Sequence, residues 1–310
     1  MRFHRRSLVK AQPKPIILLN PEAYRAQKTK VTFSSKDVPL MVSVAQEGLT
    51  GLVKDIVSDG FREIYICGGD GFTNNYLNAY MNLPLSERQL ITSGIIPGGC
   101  ANDLARELGQ PDDHEAAYHR LRALQSTKKI DVIRMNGRYF ATGGGLGLPT
   151  ETVERIRSFK QSMIGNRVAH VLNHSIYTLF AGGLMVGGYQ GVPAYAIDGI
   201  PANDDAMLIS VHNQPCIGKH LHLTPRARND DGLLDVCIIK KNNSILGDIS
   251  ALLDVQEARH QKKAYAQFLQ KQSVRIETRD QCSFMGDGEI LASGTIFQFD
   301  VIPGALRVKY

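Results

Sequence analysis

The sequence has little of what would tie it to secretion, cysteine scaffolding or membrane insertion. It contains five cysteines, Cys67, Cys100, Cys216, Cys237 and Cys282, widely spaced and with no Cys-x-x-Cys among them. An odd, scattered set argues against a disulfide framework or a cysteine-ligated zinc and for a reducing cytosol. No segment reaches the roughly 20 apolar residues that span a bilayer. The nearest, Ile176 to Gly187, is interrupted by Gly182-Gly183, so any membrane contact is expected to be peripheral. The first residues carry Arg2, Arg5, Arg6, Lys10 and Lys14 without the apolar core of a signal peptide. Residues 1–14 therefore read as a solvated basic tail. Repeats, low-complexity segments and long linkers are also lacking.

What remains is a chain of 310 residues with a formal net charge of +6. That length predicts two domains with sizeable cores. The basic excess admits phosphate-rich partners: nucleotide, nucleic acid or anionic membrane.

The stretch with the most chemistry in it is IYICGGDGFTNN, residues 64 to 75. An apolar strand runs into Gly68-Gly69-Asp70-Gly71, and a helix-like segment follows. Glycines let backbone N–H groups approach phosphate oxygens, and a helix N-terminus adds a favourable dipole. The same four residues also suit an ordinary tight turn. A second glycine turn, Pro97-Gly98-Gly99-Cys100-Ala101-Asn102-Asp103, follows the apolar strand Ile91 to Ile96. In it, Asn102 and Asp103 read equally well as a helix N-cap.

Strands at 15–20, 38–44, 63–67 and 91–96 alternate with helical segments, one of them through Leu49, Leu52, Val53, Ile56 and Val57. This alternation predicts an α/β fold with a doubly wound, mainly parallel sheet over 15–130. Ligands bind beyond the carboxyl ends of such strands, where Asp70 and Asp103 could share one crevice. From Ile130 the pattern turns β-rich with helical insertions, giving a second lobe over 131–301. Asn136-Gly137 predicts a hairpin. Helix is expected from about Glu151 to Leu184 and again from Ile249 to Gln270. The apolar residues of 159–187 mostly suit core packing.

Four signals follow in order: GGDG at 68–71, PGGCANDLAR at 97–106, DDGLLD at 230–235 and DGE at 287–289, before a closing VIPGALRV at 301–308. This ordered set resembles the diacylglycerol kinase catalytic-domain family, most of all its bacterial lipid kinases of about this length. The resemblance runs from Ile16 to Val308. It implies an ATP- and Mg2+-dependent kinase acting on a lipid hydroxyl, by default that of diacylglycerol. It also implies a cytoplasmic enzyme peripheral to an anionic membrane, with no nucleic-acid partner and with homodimers known among relatives. A non-catalytic lipid-binding protein on the kinase fold, or an NAD kinase, are the alternatives.

Carried over residue by residue, the resemblance implies nucleotide contacts from Asn20, from Ser43 where the family usually has threonine, and from Gly68, Gly69, Asp70, Gly71, Phe72, Thr73, Asn74 and Asn75. Cys100, Asn102 and Asp103 complete that set, with Asp70 and Asp103 organising Mg2+ and phosphates. Glu289 matches the family's general base, although Asp-Gly-Glu alone reads as a turn. Asp231, with the carbonyls of Arg228 and Leu233, matches a structural Mg2+ site of oxygen donors; an Asp-Gly turn is the plainer reading. The resemblance also implies that 302–310 return to the first lobe. The chain departs from the family at Glu22-Ala23-Tyr24 after Asn20-Pro21, at Phe72 and Cys100 where threonine is usual, and at Ile217-Gly218-Lys219-His220 where a glycine run is usual.

Overall fold

The structure, a computed structural model, describes residues 15–20, 40–42, 48–161, 175–287 and 289–310. The departure at 22–24, Ser43 and the basic tail lie outside the described residues.

The first lobe is built from β1 (Ile16–Leu19), β2 (Leu40–Val42), α1 (Leu49–Ser58), β3 (Glu63–Gly68), α2 (Asp70–Met81), the short α3 (Leu85–Arg88), β4 (Thr92–Pro97), α4 (Asp103–Glu107) and α5 (His114–Ala123). Its strands run parallel in the order β4-β3-β1-β2. β1 reads as an unbroken apolar run because both its faces are covered. Ile16 and Leu18 pack with Leu49, Val53 and Ile56 of α1 and Tyr76, Leu77 and Tyr80 of α2. Ile17 and Leu19 pack on the other face with Ala117, Tyr118 and Leu121 of α5. Helices on both faces make the sheet doubly wound, as predicted.

The chain continues through β5 (Thr127–Met135) and β6 (Arg138–Phe140). Their turn places Asn136 at φ 47° and Gly137 at φ 86°, the two left-handed residues that match hairpin twist. Then come β7 (Gly143–Gly147), α6 (Leu148–Lys160), α7 (Ser175–Gly187), β8 (Tyr195–Ile197), β9 (Ile200–Pro201), β10 (Ala206–His212) and β11 (Leu234–Lys240). α8 (Ile245–Gln256), a 3-10 turn (Arg259–Lys262), β12 (Ala266–Lys271), β13 (Ser273–Gly286) and β14 (Glu289–Lys309) complete it. The core of this β-rich lobe centres on Phe140, Phe284, Phe297 and Phe299, with Phe284 and Phe299 centroids 5.0 Å apart.

One sheet unites the lobes, in the order β12-β11-β10-β7-β13-β14-β4-β3-β1-β2. β14 does the joining. It pairs antiparallel with β13 and β5, and at Val308 parallel with Ser93 of β4. Leu306 and Val308 are buried in the core of the first lobe.

One expectation fails. Helix was predicted through Gln270, but helix stops at Gln256 and Ala266–Lys271 is an edge strand paired to β11. Its Ala, Gln, Leu and Lys are good helix formers. Pairing with β11 overrides that preference.

Candidate active site

The two glycine turns lie back to back. β3 and β4 end in register, with Gly68 opposite Pro97, and Gly98 N–H donates to Gly68 O at 2.9 Å. A Cβ on Gly98 would stand 2.9 Å from Gly68 Cα, and one on Gly99 only 2.4 Å from Gly69 Cα. Backbone against backbone at this distance leaves no space for a side chain, which is the physical reason both turns are glycine.

Asp70, in the first turn of α2, locks the turns together. Its carboxylate accepts from Asn102 N–H at 2.9 Å and Asp103 N–H at 2.7 Å, so it caps α4 from the neighbouring turn. Burial raises the Asp70 pKa, opposed by those two amides. Asn102 is left-handed, at φ 53°. Its side chain holds Gly99 from both sides, Oδ1 accepting from Gly99 N–H at 2.8 Å and Nδ2 donating to Gly99 O at 3.0 Å. The N-cap expectation for Asn102 is therefore half met: it occupies the cap position without a side-chain cap bond.

Asp103 reaches the second lobe, where its Oδ2 accepts from Gly218 N–H at 2.9 Å. Burial, followed by the neighbouring Asp70 charge, pushes its pKa up to about 7. A second tie runs through Asp287, which is buried and left-handed at φ 48°. It accepts from Asn74 Nδ2 at 2.8 Å, from Thr142 N–H at 3.2 Å and from the Thr142 hydroxyl. Burial raises its pKa, countered by those donors. A small cavity of about 10 Å3, with Asp70, Thr73, Thr142 and Asp287 among its lining residues, is about the size of one water.

Glu289 opens β14 and is exposed. A Cβ on Gly71 would stand 2.9 Å from Glu289 Oε1, so the carboxylate lies directly over the GGDG turn. Residues 71 and 289, far apart in sequence, thus meet across the seam between the lobes.

Other residues of the proposed nucleotide set are placed differently. The Phe72 ring lies against Gly68, whose Cβ would stand 2.6 Å from it, and packs on the first core. Asn74 is buried, and its amide serves Tyr139 O and Asp287. The Thr73 hydroxyl turns back to Gly69 O at 3.1 Å. Asn75 lies half-buried on α2, and Cys100 is exposed at the tip of the second turn. Asn20 ends β1, its N–H donating to Cys67 O at 3.1 Å.

The DDGLLD segment forms an Asx turn, with Leu233 N–H donating to Asp231 Oδ1 at 3.0 Å. Asp230 is taken up by Lys128 at 3.1 Å and Arg228 at 3.2 Å. Asp231 is exposed and makes no ion pair among the described residues. Behind it, Asp131 accepts from Gly232 N–H and Gly304 N–H, each at 2.7 Å. Among the described residues no group of three or more His, Cys, Asp or Glu side chains could hold a metal. Asp231 is an oxygen donor of the type that suits a hard cation.

Sequence reasoning missed Gly218 as an Asp103 partner and Asp287 as a tie between lobes. The DGE motif contains Asp287 and could have flagged it. The departure at 217–220 marked the Gly218 segment, but not its bond to Asp103, which depends on how the lobes dock.

The diacylglycerol kinase catalytic domain matches residues 16–135, and the YegS C-terminal NAD kinase beta sandwich-like domain matches 185–310. A protein of Alcanivorax borkumensis named a probable lipid kinase, YegS-like, is 30% identical over 277 residues, covering 87% of this chain and 86% of its own. One of the same name from Shewanella frigidimarina is 26% identical over 276 residues, covering 87% and 83%. The crystal structure of a diacylglycerol kinase from Bacillus anthracis str. Sterne shares the fold, with a TM-score of 0.67 at 20% identity over 96% of this chain and 97% of that one. Its glycine turns, its two lobes joined by β14 and its relatives agree: the chain belongs to the YegS-like lipid kinases of the diacylglycerol kinase family.

Proposed function

We propose that the protein transfers the γ-phosphoryl group of ATP to a lipid hydroxyl, with diacylglycerol the default acceptor and phosphatidic acid the product. The observation that carries this reading is Glu289 held over Gly71, beside a turn organised by Asp70 and Asp103. Phosphoryl transfer requires an oriented hydroxyl, an acceptor for its proton and stabilised phosphate charge. Glu289 accepts the proton as the lipid oxygen bonds to phosphorus and ADP departs. Asp70 and Asp103 face the phosphate side, where a bound Mg2+ would offset phosphate charge.

In this reading residues 15–130, with 302–310 packed against them, receive the nucleotide, and residues 131–301 receive the lipid. The nucleotide contacts come from Asn20, Ser43, Gly68, Gly69, Gly71, Asn75 and Cys100, with the backbone at Asn102 and Asp103. Phe72, Thr73 and Asn74 line the back of the turn. Asp231, Arg228 O and Leu233 O would hold a structural cation. The lipid is met at an anionic membrane. The formal charge of +6 favours this, and exposed Leu179 and Val186 on α7 and Leu246 on α8 supply apolar surface. No described helix is long and apolar enough to cross a membrane.

The test is single-turnover transfer from labelled ATP to a panel of diacylglycerol, other glycerolipids and long-chain amino alcohols. The Glu289→Gln variant should lose at least about a hundredfold in rate, the lower range for a positioned base, while its Tm is unchanged. Wild-type inactivity on every lipid, with lipid binding retained, would instead establish a non-catalytic lipid-binding protein.

A further inference from the structure

The segment at Ile217-Gly218-Lys219-His220 is unlike the glycine run usual in the family, and its geometry gives it a purpose. Ile217 N–H donates to Leu221 O at 3.0 Å, and Leu221 N–H to Ile217 O at 3.1 Å. These bonds close a tight hairpin whose tip is Gly218, Lys219 and His220. Ile217 is buried and Leu221 packs beside it in one core, which anchors the base. The tip is laid on the phosphate side of the site by the Gly218 N–H to Asp103 Oδ2 bond of 2.9 Å.

Gly218 and Lys219 are both left-handed, at φ 60° and φ 74°. That conformation costs glycine nothing and is uncommon for lysine. The chain therefore keeps a lysine where its backbone would rather have glycine. Lys219 is half-buried and makes no hydrogen bond or ion pair among the described residues. Arg106, the cation beside Asp103 on α4, is already engaged by Asp103 Oδ1 and by Ala101 O. The site itself presents Asp70, Asp103, Asp287 and Glu289, all acidic. The two positions where the family usually has threonine, Phe72 and Cys100, offer a half-buried ring and a weakly donating thiol. Transfer of a phosphoryl group needs positive charge placed where its oxygens will be.

We propose that Lys219, carried on this hairpin tip, binds the terminal phosphate of ATP and substitutes for the missing hydroxyl donors. The proposal rests on the kinase reading above. In the transfer step the lipid oxygen–phosphorus bond forms, the bond from phosphorus to the ADP oxygen breaks, and the hydroxyl proton passes to Glu289. The Lys219 ammonium stays protonated throughout and neutralises the terminal phosphoryl oxygens.

Calorimetric titration with MgATP and with MgADP tests this on wild type, Lys219→Met, Lys219→Gly and Lys219→Arg. The Met and Gly variants should lose roughly ten- to a hundredfold in MgATP affinity, as for one lost charge-assisted hydrogen bond, and keep their MgADP affinity. The Arg variant should recover most of the loss. Lys219→Gly relieves the left-handed backbone and should melt no lower than wild type, so its loss cannot be assigned to unfolding. Unchanged MgATP affinity in the Met and Gly variants, or an equal loss for MgADP, would overturn the assignment. The functional reading fails separately: if no lipid is phosphorylated while MgATP selectivity still depends on Lys219, the assignment stands and the lipid kinase reading falls. If wild type and Lys219→Met phosphorylate lipid equally well, the reverse holds.

Discussion

Replacing Gly99 by alanine isolates the contact on which the whole site is built. The residue is not left-handed, so the substitution carries no intrinsic backbone strain; its effect is steric. The new Cβ would stand 2.4 Å from Gly69 Cα and 3.3 Å from Asn102 Oδ1. Ordinary carbon–carbon contact begins near 3.5 Å, so the two turns must part by about 1 Å. That movement would drag on the Asp70 bonds to Asn102 and Asp103, because the Asn102 side chain is fastened to Gly99. Overpacking of this kind costs about 1–3 kcal/mol, a Tm loss of several degrees at most for a chain of this size. The cost to function should be larger, since a misplacement of about 1 Å can reduce a rate roughly a hundredfold. Gly51→Ala on the exposed face of α1 is the control, with nothing within 4 Å of the new Cβ; it should be neutral or mildly stabilising. Differential scanning fluorimetry and kcat/KM for ATP, measured on both variants, separate stability from geometry. Wild-type kcat/KM in Gly99→Ala would refute the view that the close approach of the turns sets the nucleotide site.

Two further outcomes follow from the charges. Burial raises the folded-state Asp103 pKa to about 7, above the unfolded value near 3.9, so its favourable contribution is complete below about pH 4 and is lost as pH rises through 7. Asp103→Asn, which keeps an oxygen for Gly218 N–H, should therefore raise Tm more at pH 8 than at pH 5 while reducing turnover; a pH-independent change in melting would contradict the burial argument. For the DDGLLD turn, a chelator should lower the wild-type Tm and leave Asp231→Ala unaffected, because a cation bound only by the folded state stabilises it by about 2.7 kcal/mol at a hundred times its Kd; equal chelator sensitivity of the two proteins would remove the cation from this turn.

Much of the first lobe was legible because its physics is local. β1 and β3 announce themselves as apolar runs, α1 by its helical spacing, and the β5–β6 turn by Asn136-Gly137. The second lobe was harder because its strands are defined by their neighbours. β7 is Gly-Gly-Gly-Leu-Gly, a poor strand by composition. It is a strand because it pairs with β10 and β13, and it is glycine because a Cβ on Gly143 would strike the His212 ring at 2.3 Å and one on Gly144 the Met285 carbonyl at 2.1 Å. The glycines are a packing requirement imposed from outside the segment, and no local pattern reveals it. The same holds for β12, whose helix-forming residues are overruled by β11. In the site, the motifs pointed to Asp70, Asp103 and Glu289, which the fold brings to one seam, whereas the facing of Phe72 and Asn74 cannot be read from position in a motif. Their orientation depends on α2, which turns one onto Gly68 and the other onto Asp287.

That orientation of α2 bears on how Glu289, the proposed base, is placed. Glu289 is exposed, and the register of β14 alone would leave its carboxylate free to sweep over solvent. Two residues before it, Asp287 is buried and fixed by Asn74 of α2 and by Thr142. Asn74 lies four residues after Asp70, one helical turn further along the same helix. The helix that carries Asp70 therefore also holds Asp287, two residues before the proposed base, through Asn74. The cost is a buried carboxylate at Asp287 that must keep its donors. Asp103 and Gly218 close the other side of the seam in the same way, with an acid from the first lobe accepting an amide from the second. Each lobe thus contributes one acid that accepts amide hydrogens from the other, and the proposed reacting groups sit between those two fastenings rather than on either lobe alone.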